Sequence, residues 1–260
     1  MSRRHFAFDC AGSALAATLD EAAGTTGLLI VTGGNETRAG AFSSQAQLAA
    51  SVAAAGHPVL RFDRRGVGDS EGVNMGFRNS AEDIAAAAAA FRSQCPAVSR
   101  IVAFGNCDAA SALMLSTGEG FDGLVLSNPW TYEAEQAAAP PPPAAIRARY
   151  AAKLKNPREL LRLATGKVNL RDLLGSLRHA SKGAAAPSGL GDAMAAGLAR
   201  FAGPARILIA ERDRTGQAFA AGWNARDPNL KRCAGADHAY SDDASHEWLL
   251  QQVLAALADE

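Results

Sequence analysis

No stretch of the 260 residues reaches the roughly 18 to 20 consecutive apolar positions that a bilayer-spanning helix needs. The basic N-terminus, Met1-Ser2-Arg3-Arg4-His5-Phe6, lacks the long apolar run of a secretory leader, so the expected compartment is the cytoplasm. Cysteine is scarce. Cys10, Cys95, Cys107 and Cys233 form no Cys-x-x-Cys pair and keep no ligand-like spacing with His5, His57, His179, His238 or His246, which argues against a metal site. Charge of either sign is missing in excess: 26 basic and 26 acidic residues cancel, so the chain as a whole has no pull toward nucleic acid or anionic membrane. At this length it can bury one α/β core with a modest insertion, but not two large domains.

What is present is an alternation of short apolar runs with helical patterns. Residues 27–31, 58–62, 100–104, 123–127 and 205–210 are near-continuous apolar, as strands covered on both faces by helices are. Residues 43–55, 81–91 and 246–257 carry helical periodicity, and the alanine run at 85–90 suits the middle of a buried helix. A right-handed, doubly wound, mostly parallel sheet follows.

The alternation breaks at 131–200. Pro140 to Pro143 cannot continue a helix, three amphipathic stretches follow at 145–154, 158–164 and 170–180, and 181–191 is rich in Gly, Ala, Ser and Pro. The expected organisation is a core made of 1–130 and 201–260 with a helical lid at 131–200 over the carboxyl ends of the strands. Between 144 and 182 ten basic residues, Arg149 and Lys153 among them, face two acidic ones, Glu159 and Asp172. A solvated helical face accounts for such a run, and so does attraction of an anionic acyl donor or lipid.

The most informative segment is Ile101-Val102-Ala103-Phe104-Gly105-Asn106-Cys107-Asp108-Ala109-Ala110-Ser111. An apolar strand stops at a tight turn with a nucleophilic side chain at its apex and a helix beginning after it. A thiol there gains from the helix N-terminus and from a nearby imidazole, whereas the carboxylate of Asp108 opposes ionisation unless it turns away. The plainer alternative is a small buried cysteine in a glycine-containing turn.

A nucleophile in this place needs a carboxylic acid and then a histidine later in the chain. Asp213 falls just past the 205–210 strand, and His238 lies in a turn-rich loop before the last helix. Glu211, Asp237 and Asp242 compete for the acid position, but Asp213 fits the strand end, and Asp237 is better placed to hold its own loop. Oxyanion donors are expected from the Asp108 backbone N–H and from Gly34 or Asn35 after the early strand. Arg38 and Trp130, with Arg149 and Lys153 of the insertion, are the expected substrate-binding side chains.

Asp63-Arg64-Arg65-Gly66-Val67-Gly68-Asp69-Ser70 and the loop ending in Gly235-Ala236-Asp237-His238 resemble motifs of the α/β-hydrolases. The elbow from Gly105 to Ser111 and Ser127-Asn128-Pro129-Trp130 further resemble the exosortase A system-associated hydrolases, type one. That resemblance implies an α/β-hydrolase fold, a Cys107–His238–Asp213 triad and an association with bacterial exopolysaccharide systems. The thiol also resembles that of dienelactone hydrolases and polyhydroxyalkanoate synthases, which share the fold. The expected reaction is therefore hydrolysis of a small-molecule ester or thioester through an acyl-cysteine, with no cofactor. Acyl transfer from coenzyme A or an acyl carrier protein to an alcohol or sugar uses the same residues, and a non-catalytic scaffold of the same fold is the competing class.

Overall fold

Two strands precede the first one expected from apolar runs. In the computed structural model, which describes residues 2–132 and 189–259, Ser2–Cys10 (β1) and Ser13–Glu21 (β2) form an antiparallel hairpin at the sheet edge. β1 is largely exposed, and only the period-two spacing of Phe6, Phe8 and Cys10 marks its inner face. Then come β3 (Thr26–Val31), α1 (Ser44–Ala54), β4 (Val59–Phe62), α2 (Ala81–Gln94), β5 (Arg100–Asn106), α3 (Asp108–Leu115) and β6 (Gly123–Ser127). After the undescribed segment follow α4 (Gly189–Arg200), β7 (Ala205–Ala210), α5 (Arg214–Gly222), β8 (Leu230–Cys233) and α6 (Asp243–Ala258).

Among the described residues the strands form one sheet in the order β1-β2-β4-β3-β5-β6-β7-β8, and every pairing from β4 to β8 is parallel. Alternate side chains of the central strands feed two cores. Leu28, Ile30, Val102 and Phe104 pack with Leu48 and Val52 of α1 and Leu249 and Val253 of α6. Leu29, Val31, Ile101 and Ala103 pack on the other face with Ile84 and Phe91 of α2, Leu113 of α3 and Phe219 of α5. Helices on both faces are what allow the β3, β5 and β6 strands to carry apolar residues at consecutive positions.

The end of the expected lid belongs to this packing. Leu190 and Met194 are buried in the second core, and a Cβ on Gly197 would stand 2.0 Å from the carbonyl oxygen of Met114, so α4 lies directly on α3. Residues 189–191, expected in a loop, begin that helix because Leu190, Met194 and Gly197 fall on one helical face. The proline run, the three amphipathic stretches, Arg149 and Lys153 lie outside the described residues. Among the described residues no helix is long and apolar enough to cross a membrane.

Candidate active site

The parallel strands converge their carboxyl ends on one rim, where an α/β sheet opens its crevice. The β3–β5 register places Val31 opposite Gly105, so the loop after β3 lies against the turn after β5. At that turn Cys107 has φ 63° and ψ −128°, a strained conformation for a residue with a side chain. Neighbours hold it there. The Cys107 N–H donates to Ser127 O at 2.9 Å, and the Trp130 N–H donates to Cys107 O at 3.2 Å. A Cβ on Gly105 would stand 2.8 Å from Ala109 C and Ala110 N, so only glycine lets α3 rise this steeply.

Sequence positions 107, 213 and 238 come together at this rim. His238 Nδ1 lies 3.0 Å from Asp213 Oδ2, and the same imidazole is hydrogen-bonded to the Cys107 side chain. Asp213 is also the N-cap of α5, accepting from the Gly216 N–H at 2.9 Å, so its carboxylate is fixed before it meets the imidazole. The bond to Asp213, then the bond to Cys107, push the His238 pKa up to about 10 against the opposing effect of burial. Burial raises the other three thiols, Cys10 to about 11, and keeps them protonated and inert. Asp237 serves its own loop, accepting from the Ala239 and Ser241 N–H groups at 3.2 and 3.0 Å.

Two residues that carry no role of their own in the sequence motifs tie the strand ends together. Asn106 Nδ2 donates to the carbonyl of His238 at 3.1 Å, and Asn128 Nδ2 donates to Asn106 Oδ1 at 3.1 Å while its own Oδ1 accepts the Ala210 N–H at 2.8 Å. Their amides thereby link β5, β6, β7 and the histidine loop. The sequence cue was a pair of Asn residues at the ends of two apolar strands.

The residues expected to bind the oxyanion and the substrate have partners of their own within the fold. The Gly34 N–H, expected to face an oxyanion, donates to Asp108 Oδ1 at 2.7 Å, so the carboxylate beside the sulfur is tethered to the loop after β3. Asn35 accepts from Asn74 through its side-chain oxygen at 2.9 Å. Arg38 is paired with Asp63, stands 2.9 Å from Asp69 and donates through Nε to Thr18 at 3.1 Å. Its donors are consumed in holding the loops after β3 and β4. The indole N–H of Trp130 is likewise spent on the carbonyl of Tyr132 at 2.9 Å, and the ring packs edge-on against Tyr132. Trp130 braces the elbow instead of offering a polar contact. Among the described residues no cluster of three His, Cys, Asp or Glu side chains forms a metal site.

A doubly covered parallel sheet with a nucleophilic side chain on a strand-to-helix turn and a carboxylate-held imidazole beside it defines the hydrolase class of α/β proteins. The alpha/beta hydrolase family model matches residues 28–252, and the chain belongs to that family. None of the curated proteins matches it. Among solved structures it is similar in fold to the Pyrococcus furiosus esterase Pf2001, at 14% identity over 98% of this chain and 90% of that one, TM-score 0.62. It is also similar to Est1E from Butyrivibrio proteoclasticus with ferulic acid bound, at 14% identity over 98% and 100% of the two chains, TM-score 0.62. The hydrolase GrgF from Penicillium sp. sh18 shares 18% identity over 99% and 98%, TM-score 0.65.

Proposed function

We propose that this chain is a cysteine-dependent esterase whose acyl-enzyme is a thioester on Cys107. The observation that carries the reading is the imidazole of His238, bonded to Asp213 at 3.0 Å through Nδ1 and to the Cys107 side chain. Because Asp213 holds Nδ1, the other ring nitrogen, Nε2, is the one that exchanges protons with sulfur and substrate.

His238, its pKa raised, takes the proton of the Cys107 thiol and leaves the sulfur free to attack. Sulfur attacks the ester carbonyl carbon and the C=O pair moves to oxygen, received by the Asp108 N–H at the open end of α3. When that pair returns, the bond to the alcohol oxygen breaks and the alkoxide takes the proton from His238. Neutral His238 then removes a proton from water, whose oxygen attacks the acyl carbon. The C–S bond breaks, acid departs, and the thiolate–imidazolium pair is restored.

An alcohol in place of water makes the same step a transfer, so acyl transfer to a sugar hydroxyl stays within this mechanism. The motifs at 105–111 and 127–130 support assigning the chain to the exosortase A system-associated hydrolases of type one, linked to bacterial exopolysaccharide systems. A coenzyme A or acyl carrier protein donor rests on the basic residues at 144–182 alone.

Intact-mass measurement after mixing with p-nitrophenyl butyrate tests the proposal. The wild-type chain is expected to gain one butyryl group at Cys107, and Cys107→Ala none. Nitrophenol release without a Cys107 adduct under rapid quench, or equal reaction after His238→Gln, overturns it, and a chain that neither releases nitrophenol nor gains the adduct is a scaffold.

A further inference from the structure

Ser127, the last residue of β6, touches both the elbow and the histidine turn. Its carbonyl accepts the Cys107 N–H at 2.9 Å, and its hydroxyl lies 3.0 Å from the phenol oxygen of Tyr240, two positions after His238. The turn that carries the sulfur and the turn that carries the imidazole therefore share one reference point.

Tyr240 closes the histidine turn, its N–H donating to Asp237 O at 3.2 Å. Its backbone has φ 52°, a left-handed conformation that a bulky side chain adopts only where its surroundings impose it. The side chain supplies that constraint. The ring is buried among Phe104, Val125 and Leu249 and lies parallel to the indole of Trp248 on α6, with centroids 6.2 Å apart. Asn128, itself left-handed at φ 43°, donates to Ser127 Oγ at 3.3 Å and to Asn106 Oδ1 at 3.1 Å, and Asn106 donates to the His238 carbonyl. The histidine turn is thus gripped at the His238 carbonyl and at the Tyr240 phenol by residues that flank or hold Cys107.

Burial pushes the Tyr240 pKa up, so the phenol stays neutral and acts by its hydrogen bond, not by charge. One such bond adds only about 1 kcal/mol to stability, whereas misplacing a reacting group by about 1 Å costs up to about 100-fold in rate. The larger consequence of this bond is geometric.

We propose that the hydrogen bond between Ser127 and Tyr240 is a spacer that sets how closely the His238 imidazole meets the Cys107 sulfur, which makes both residues positioning residues for acylation. The inference rests on the esterase reading of Cys107 and deepens it. Ser127 is fully buried and Tyr240 is 2% exposed, so they act through the two turns and not on substrate. Without the bond the Tyr240 backbone is free to relax from its left-handed conformation, and His238 moves with it.

The test follows the burst of p-nitrophenyl butyrate against ester concentration in Tyr240→Phe, Ser127→Ala and the double variant. A burst rate constant, unlike the burst amplitude, does not depend on the fraction of chain that is folded. Each single variant is expected to acylate about tenfold more slowly at saturating ester, with the half-saturating concentration within about twofold of wild type. The double variant should match the slower single one, since one bond cannot be lost twice. Val253→Ala, which opens a cavity in the same core without touching either hydroxyl, should lower the melting temperature and leave the burst rate near wild type. Wild-type rates in both single variants, a double variant slowed by the product of the two single effects, or equal slowing in Val253→Ala overturns the proposal. Rapid-quench mass measurement separates the two levels: a butyryl adduct on wild-type Cys107 with unchanged rates in the variants removes the spacer alone, whereas no adduct on wild type removes the esterase reading and the spacer with it.

Discussion

Asp108 Oδ1 accepts the backbone N–H of Gly34 at 2.7 Å, joining the first turn after the elbow to the loop after β3. Arg64 secures the same point from below, donating to Gly34 O at 2.7 Å and standing 3.8 Å from Asp108 Oδ2. The carboxylate next to the sulfur is therefore engaged with a backbone donor expected to face an oxyanion.

Freeing that donor should speed acylation. Asp108→Ala releases the Gly34 N–H toward a developing oxyanion, and one such donor is worth about 100-fold or more where it is fully aimed. Part of that gain is lost because the loop is no longer tied to α3, so an increase of about tenfold in the acylation rate with p-nitrophenyl butyrate is expected. Asp108→Asn keeps an oxygen for Gly34 and should change the rate less than Asp108→Ala. Stopped-flow bursts compare the three. A slower Asp108→Ala burst would mean that the tether positions the loop instead of blocking it.

His238 sets a pH dependence with a definite sign. Its pKa is raised from about 6.5 unfolded to about 10 folded. The resulting stabilisation is whole below pH 6.5, fades as pH rises between the two values and is gone above about 10. Asp213→Asn keeps an oxygen to cap α5 but removes the charge that holds the imidazolium. Its melting temperature should therefore trail wild type most near pH 6 and converge with it above pH 10. The ring proton signal of His238, identified by its loss in His238→Gln, should titrate lower in Asp213→Asn. Equal titration in both chains would show that Asp213 does not act on the ring.

Much of this arrangement is local enough to read along the chain. The strands from β3 to β7 announce themselves because burial on both faces demands apolar residues at consecutive positions, and Cys107 because a strained turn needs Gly105 before it. The role of Arg38 is invisible for the opposite reason. Arg38 is claimed by Asp63 and Asp69, 25 and 31 positions later, and nothing in a loop arginine says whether its partner is a substrate or its own fold. β1 hides behind its exposed polar residues, as an edge strand does.

Arg38 should behave as a clasp. Asp63 is fully buried at the side chain, and removing the guanidinium leaves its charge without its main partner. Arg38→Ala is expected to cost about 3 kcal/mol of stability, in the range for breaking a buried pair. KM for esters should stay within about twofold in the folded fraction, since the guanidinium is taken up by Asp63 and Asp69. Urea unfolding and steady-state kinetics measure the two effects. A large rise in KM with unchanged stability would restore Arg38 to substrate binding.

The elbow permits one sharper test of how backbone geometry serves the thiol. A methyl on Gly105 would meet Ala109 C and Ala110 N at 2.8 Å and Ala109 O at 2.9 Å, all atoms of the α3 main chain. Relief requires β5 and α3 to separate by several tenths of an ångström, carrying Cys107 away from the imidazole. Gly105→Ala is therefore expected to cost about 1 to 3 kcal/mol through overpacking and to slow acylation by up to about 100-fold through misplacement. Ala109→Gly, which gives the turn a second glycine, should cost about 1 kcal/mol of helix propensity and leave the acylation rate close to wild type. Because the clash is with main-chain atoms, adding Ala109→Gly to Gly105→Ala cannot relieve it, and the double variant should be as slow as Gly105→Ala. Burst rates for the three variants decide the matter, and recovery of the rate in the double variant would show that side-chain crowding, not the main chain, sets the turn.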